Sequence, residues 1–266
     1  MLGDSGLRDA VAHSSASWPS YRPVPSLDDE VHVLRLSVQQ EPAVLSRLET
    51  FLSQREIERA DSFRFPADRE RHVVARGGLR AVLGRHLAAA PGDLRFRSNG
   101  YGKPVLYGPA GHNALRFNLS HSGAFVLLAV ARRRRVGVDI EEIREDVPYL
   151  EMAQRFFSAA EHAALRAQPS DHRIPFFFAT WTRKEAYVKG RGQGLSIPSQ
   201  AFTVDVAGQE PRPVDDRGRV SRPGSWRVAG VDAAAGYAAA LAVENGDWNV
   251  RCFDADEVVA AMPADW

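Results

Sequence analysis

One strand constrains the chain more than any other stretch. In VGVDIEEI (136–143) the apolar Val136, Val138 and Ile140 alternate with Gly137, Asp139 and Glu141. Side chains on a strand point to opposite faces in turn. The run therefore has one greasy face and one face made of a glycine and two carboxylates. Neighbouring acids repel, and acids are poor strand formers. Either the pair is solvated on an edge strand, or it faces something positive. Hard cations such as magnesium take carboxylate and phosphate oxygens, so an ion is one partner that would suit the pair.

A second stretch bears on the choice. IPFFFATWTRKEAYVKG (174–190) reads as a helix, and at about 100° per residue Trp181, Glu185 and Lys189 share one face. Glu185 is placed to be a third oxygen ligand, and Lys189 to meet a phosphate as a point charge. The plainer reading is a surface Glu–Lys pair worth ~0.3–0.5 kcal/mol. Phe176, Phe177, Phe178, Trp181 and Tyr187 crowd the same helix, which argues that much of it is buried.

The remaining pattern organises the 266 residues. Residues 1–28, rich in Ser, Pro and Asp, read as a loose arm. VHVLRLSV (31–38) is a strand, 41–64 two short helices, and a longer helix starts at Asp68 as N-cap and ends near Ala90. Strands follow at 94–98, 104–107, 115–121 and 124–131, then RRRR (132–135) as a hairpin connection. The second part has helices at 149–158, 158–167 and 174–190, then strands at 201–206, 225–232, 236–243 and 248–255. Helices followed by strands, twice, predict an α+β chain of two similar α/β halves, 29–133 and 134–266. No apolar run reaches the ~20 residues that cross a bilayer, and no signal peptide is visible. The single cysteine, Cys252, excludes an internal disulfide and fits a reducing cytoplasm. A net charge of +1 does not suggest a nucleic-acid partner.

Several segments offer anion sites. FNLSHSG (117–123) sets Ser120, His121 and Ser122 at a strand-to-turn junction, where hydroxyls, imidazole and N–H groups hold an anion or simply build the turn. It is not the G-x-S-x-G of a serine hydrolase. Lys103 sits between Gly102 and Pro104 in a tight loop. In the long first helix, Arg76 and Arg80 fall on the apolar side and need an anion or acid partner, or else snorkel at the core's rim. GRGQGL (190–195) lacks the lysine of a nucleotide-binding loop.

GKP, FNLSHSG, GVDIE, FFS with Glu161, and WTRKEAYVKGRGQGL occur in the order and approximate spacing of one family. Over residues 55–206 the chain resembles the Sfp-type 4′-phosphopantetheinyl transferases. The resemblance implies the phosphopantetheinyl transferase fold, a pseudo-dimer of the two halves with the active site between them. It implies transfer of 4′-phosphopantetheine from coenzyme A to a serine of an apo acyl or peptidyl carrier protein, by a monomer. It implies magnesium on Asp139, Glu141 and Glu185, with Glu185, Lys189 and His121 in the chemistry. Coenzyme A phosphates would lie near Lys103, Ser120, His121 and Lys189, and the 3′-phosphate near Arg64, Arg71 and Arg76. Two other readings stand beside it: a coenzyme A- or carrier-binding module without catalysis, and a magnesium-dependent phosphotransferase of small molecules.

Overall fold

Val126, Leu128 and Val130 of the strand Phe125–Arg132 lie in one apolar cluster, while Leu127, Ala129 and Ala131, from its other face, lie in a second. A strand buried on both faces sits between two layers. The computed structural model describes residues 18–20, 27, 30–109, 114–206, 212–215, 225–244 and 248–262 and resolves those layers. In chain order the elements are β1 (Glu30–Ser37), α1 (Pro42–Thr50), α2 (Gln54–Asp61), α3 (Pro66–Leu87), β2 (Arg95–Ser98), β3 (Pro104–Tyr107), β4 (Leu115–Ser122) and β5 (Phe125–Arg132). There follow β6 (Val136–Glu142), α4 (Tyr149–Phe156), α5 (Ala159–Ala167), α6 (Arg173–Arg191), β7 (Arg212–Pro213), β8 (Trp226–Gly230), β9 (Tyr237–Glu244), β10 (Asn249–Asp254) and α7 (Asp256–Ala260).

The first sheet runs β10–β1–β5–β4 and the second β6–β9–β8–β7, with β2 and β3 a separate hairpin. One face of the first sheet meets the first group of helices, where Leu79 and Leu83 of α3 are fully buried with Leu34 and Leu36. Burial of each such side chain is worth about 1.5–3 kcal/mol. Its other face packs on the second sheet through Val31, Val33, Leu127, Val136, Val138 and Ile140. The far face of the second sheet takes α6 through Ala186, Tyr187, Trp226, Val228 and Ala240. The order of layers is thus helices, sheet, sheet, helices, as two α/β halves back to back require.

The alternation in β6 now has its physical reading. Val136, Val138 and Ile140 fill the space between the sheets, which turns Gly137, Asp139 and Glu141 toward α6. Gly137 is where the helix backbone touches the strand: a Cβ there would stand 2.0 Å from the Ala186 carbonyl oxygen and 2.2 Å from the Gly190 nitrogen. Gly137→Ala is expected to push α6 outward and cost about 1–3 kcal/mol, read as a lower urea midpoint with unchanged slope. An unchanged midpoint would mean that the helix is not seated on β6.

The structure departs from the sequence reading at several places. The long helix starts at Pro66 rather than Asp68, since proline suits the first helical position. Asp68 lies within the first turn and pairs with Arg71 at 2.8 Å. It ends at Leu87, short of Ala90, with Ala88 in the left-handed region at φ 49°. Residues 201–206 do not form a strand; Thr203 makes only an isolated bridge to Asp215. Side chains take the backbone groups a ladder would use: Lys184 donates to the Phe202 carbonyl at 2.9 Å, and Val204 N–H donates to Glu161 at 2.8 Å. RRRR is not a hairpin connection within one sheet, because β5 and β6 belong to different sheets. The last strand crosses the division drawn at residue 134: β10 lies parallel to β1 in the first sheet. A parallel pair needs a long crossover, and here the whole second half serves as one. Most of the 1–28 arm lies outside the described residues. Within it Ser20 bridges Asp254, and the Trp18 ring lies 5.1 Å from the Arg35 guanidinium.

Candidate active site

β4 and β6 are the facing edges of the two sheets, and edge strands must satisfy their exposed polar groups. Here side chains do it. Asn118 accepts from Val138 N–H at 2.8 Å, Ser120 donates to Asp139 Oδ1 at 2.8 Å, and Ser122 donates to Glu141 Oε2 at 3.0 Å. The three β4 residues are two apart, so one strand face supplies all three bonds. Ser120 and Ser122 were read from sequence as possible anion contacts; Asn118, in the same FNLSHSG motif, was not singled out, although its spacing of two from Ser120 was a signal.

Across from this seam lies α6. Between Thr180 and Gly190 only Trp181, Glu185 and Lys189 are not fully buried. They form the stripe their four-residue spacing predicted. Trp181 is held by Phe156, edge-on at 5.5 Å, and Phe177, stacked at 5.9 Å. Lys189 Nζ donates to Asp139 Oδ1 at 2.5 Å and to Ser120 Oγ at 2.9 Å. Asp139 is 1% exposed, and its second oxygen, Oδ2, is buried with no hydrogen-bond partner.

The three acids sense one another. Burial pushes the Asp139 carboxyl above the usual range, against the pull of Lys189. Burial first, then the charge of Asp139, push Glu141 and Glu185 up as well. Such a trio is destabilised as anions and gains from a cation between them. Among the described residues, no three side chains of His, Cys, Asp or Glu stand as a ready-made metal cage.

A basic set gathers around His121. His121 is held below its usual pKa by burial, then by Arg71 and Lys189, with Arg76 contributing. Arg76 also lines a cavity of about 430 Å³ with Arg55, Arg59, His72, Arg95 and Arg97. Of these, only Arg76 was a candidate from sequence. They come in pairs, Arg55 and Arg59 on α2, His72 and Arg76 on α3, Arg95 and Arg97 on β2, and nothing in those local spacings reveals that the three elements meet. Arg80, expected to need an acid, is 3% exposed and pairs with Glu56 at 2.8 Å.

Two expected phosphate contacts are placed differently. Lys103 Nζ donates to the main-chain carbonyls of Lys189 at 2.7 Å, Val136 at 2.9 Å and Gly190 at 3.3 Å. It ties the β2–β3 loop to the C-terminal end of α6, and Asn99 joins it by donating to the Gly192 carbonyl at 2.8 Å. Gly192, at φ 68°, ends the helix in the conformation glycine favours. Arg64 is exposed, its guanidinium 5.4 Å from the Phe65 ring, and no described contact ties it to the acids.

The sequence matches known proteins. A model described as the 4′-phosphopantetheinyl transferase superfamily matches residues 135–242, and one described as 4′-phosphopantetheinyl transferase, N-terminal, matches 39–133. The chain is 39% identical over 170 residues to the 4′-phosphopantetheinyl transferase HetI of Nostoc sp., covering 64% of this chain and 72% of that one. The chain belongs to the 4′-phosphopantetheinyl transferase superfamily. Two further transferases of the group are Sfp of Bacillus subtilis, 34% identical over 159 residues (59% of this chain, 68% of Sfp), and psf-1 of Bacillus pumilus, 37% identical over 164 residues (61% and 67%). The two transferase models meet between residues 133 and 135, at the link from β5 to β6. The acids and Lys189 lie within the span of the superfamily model, and His121, Arg71 and Arg76 within the N-terminal one.

Proposed function

We infer that the protein moves the 4′-phosphopantetheine arm of coenzyme A onto a serine of an apo acyl or peptidyl carrier protein, releasing 3′,5′-ADP. It is a transferase. The observation that carries the residue assignment is the half-buried stripe of α6, with Glu185 and Lys189 facing the buried Asp139 and half-buried Glu141 of β6.

The carrier serine oxygen bonds to the β-phosphorus of coenzyme A. The bond from that phosphorus to the bridging oxygen breaks, and 3′,5′-ADP leaves with the electron pair. Glu185, directly or through a water, takes the serine proton. Lys189, a long side chain on the open stripe, exchanges Asp139 for a phosphate oxygen and offsets charge there. His121, its pKa lowered by burial and then by Arg71 and Lys189, donates a ring N–H to a second phosphate oxygen. Arg71 and Arg76 receive the 3′-phosphate, with the basic cavity of Arg55, Arg59 and Arg95 behind them.

Asp139, Glu141 and Glu185 fit magnesium: hard oxygen donors from two elements, crowded enough to repel, one of them with an unpartnered buried oxygen. When bound, such an ion supplies charge neutralisation at the pyrophosphate. Both acid-bearing elements belong to one chain, so a monomer suffices. Among the described residues, no helix is long and apolar enough to cross a membrane, and the single cysteine suits the cytoplasm.

Incubation with coenzyme A, magnesium and an apo carrier protein is expected to add roughly 340 Da to the carrier, the mass of the arm as a phosphodiester. Coenzyme A binding without that gain would make the protein a binding module instead. Lys189→Ala is expected to lower kcat/KM for coenzyme A by about 10–100-fold. Unchanged kinetics would leave Lys189 as a structural partner of Asp139 alone.

A further inference from the structure

A helix leaves the carbonyls of its last turn without partners inside it. At the end of α6 the Gly192 N–H answers Val188 at 3.1 Å. The next two carbonyls, of Lys189 and Gly190, are answered by the Lys103 amine, which comes from the first half of the chain. The same amine takes the carbonyl of Val136, the first residue of the edge strand β6. An ammonium group has three protons, and three carbonyls use them all. A cation at this place also suits the negative end of the helix dipole.

The loop that carries Lys103 is organised to hold it there. Asn99 Oδ1 accepts the N–H groups of Tyr101 and Lys103, each at 2.9 Å, and the Asn99 N–H donates to the Lys103 carbonyl at 2.8 Å. The Asn99 amide then spans the two halves by donating to the Gly192 carbonyl. The fit is close: a Cβ on Gly192 would stand 3.0 Å from Lys103 Cδ and 3.2 Å from Asn99 Nδ2. Burial first, then Arg135 and Arg116, press the Lys103 pKa down to about 7, so the charged amine is held there against its desolvation. The carbonyl it approaches most closely belongs to Lys189, whose own amine reaches Asp139 and Ser120.

We propose that Lys103 and Asn99 are positioning residues for Lys189: the first half of the chain clasps the last turn of α6 and thereby sets where the Lys189 amine stands over β6. Lys103 then acts through main-chain carbonyls and not on coenzyme A. The inference rests on the part given to Lys189 in the proposed transfer.

Lys103→Met keeps most of the side chain and removes its donors. It is expected to lower kcat/KM for coenzyme A at least about fivefold, since a displacement on the order of 1 Å at a reacting group can cost up to about 100-fold. Asn99→Asp keeps the acceptor inside the loop and loses the bond to Gly192. It is expected to act in the same direction, and it carries the test should Lys103→Met not fold. The deciding measurement is made in the Lys189→Ala background, where each change is expected to cost less than about twofold, because the side chain it positions is gone. A general loosening of the fold, or contact of Lys103 with the phosphates themselves, would cost the same in both backgrounds and overturn the inference. Hydrogen exchange gives a readout without turnover: the amides of 187–193 are expected to exchange at least about tenfold faster in either variant, with α3 unchanged. Parent-like exchange in that segment would overturn the inference too. A fall in Lys189→Ala without one in Lys103→Met or Asn99→Asp strikes this inference alone, whereas no fall in Lys189→Ala strikes the role of Lys189 and the inference with it.

Discussion

Lys184→Met lowers the stability of this protein by about 3–5 kcal/mol, the expected cost of leaving one member of a buried ion pair alone. Lys184 and Glu161 have side chains 3% exposed, and the amine meets both carboxylate oxygens, at 3.0 and 2.7 Å. The rest of each group's capacity is also used. The amine donates to the Phe202 carbonyl, and the carboxylate accepts the N–H groups of Ser158 at 2.8 Å and Val204 at 2.8 Å. Removing the lysine strands a buried carboxylate and a buried carbonyl together. A double variant, Lys184→Met with Glu161→Leu, removes both charges but leaves the Ser158 and Val204 N–H groups without their acceptor. It is expected to regain part of the loss, not all of it. Urea unfolding of the four proteins gives the coupling as a double-mutant cycle. Additive costs would mean that the pair is not the connection between α5, α6 and the 202–204 segment.

That network also explains where sequence and structure part company. Alternation in AFTVDV is real, and Phe202 and Val204 are buried as it demands. Pattern reports which side chains go inside; it does not report what takes the backbone N–H and C=O groups. At 202–204 two charged side chains took them, from helices distant in sequence, and no strand formed. The acid face of β6 and the stripe on α6 were legible because each is a local periodicity, set by 2 or 3.6 residues per turn of the pattern. The partner of Arg80 was legible as a need, and Glu56 met it. The Lys103 contacts were not legible. A lysine in a loop has a long reach, and which carbonyls lie within it depends on how two halves pack. The same holds for β10, whose partner strand is chosen by tertiary packing after an intervening half of the chain. The basic cavity beside Arg76 shares this origin: Arg55 and Arg59 share α2 and Arg95 and Arg97 share β2, but no spacing rule says that these elements meet α3.

Asp139→Ala separates chemistry from stability more sharply than any other change in the site. Transfer is expected to fall at least about 10³-fold, some 4 kcal/mol of transition-state stabilisation. The fold is expected to hold, with a thermal midpoint equal to or above that of the parent. The reason lies in what the carboxylate costs: it is buried, with one oxygen unpartnered, and its charge raises the pKa of both Glu141 and Glu185. Its removal frees Lys189, which is 31% exposed and can turn to water, and relieves the repulsion among the remaining acids. Active sites commonly trade stability for function in this manner. Magnesium chloride provides a readout that does not rely on turnover. It is expected to raise the thermal midpoint of the parent by binding the folded state, and to leave that of Asp139→Ala unmoved. A variant with turnover within tenfold of the parent would remove Asp139 from the reaction. An equal magnesium shift in both proteins would remove it from the ion's ligands, leaving Lys189 as the positive partner of the acidic face of β6.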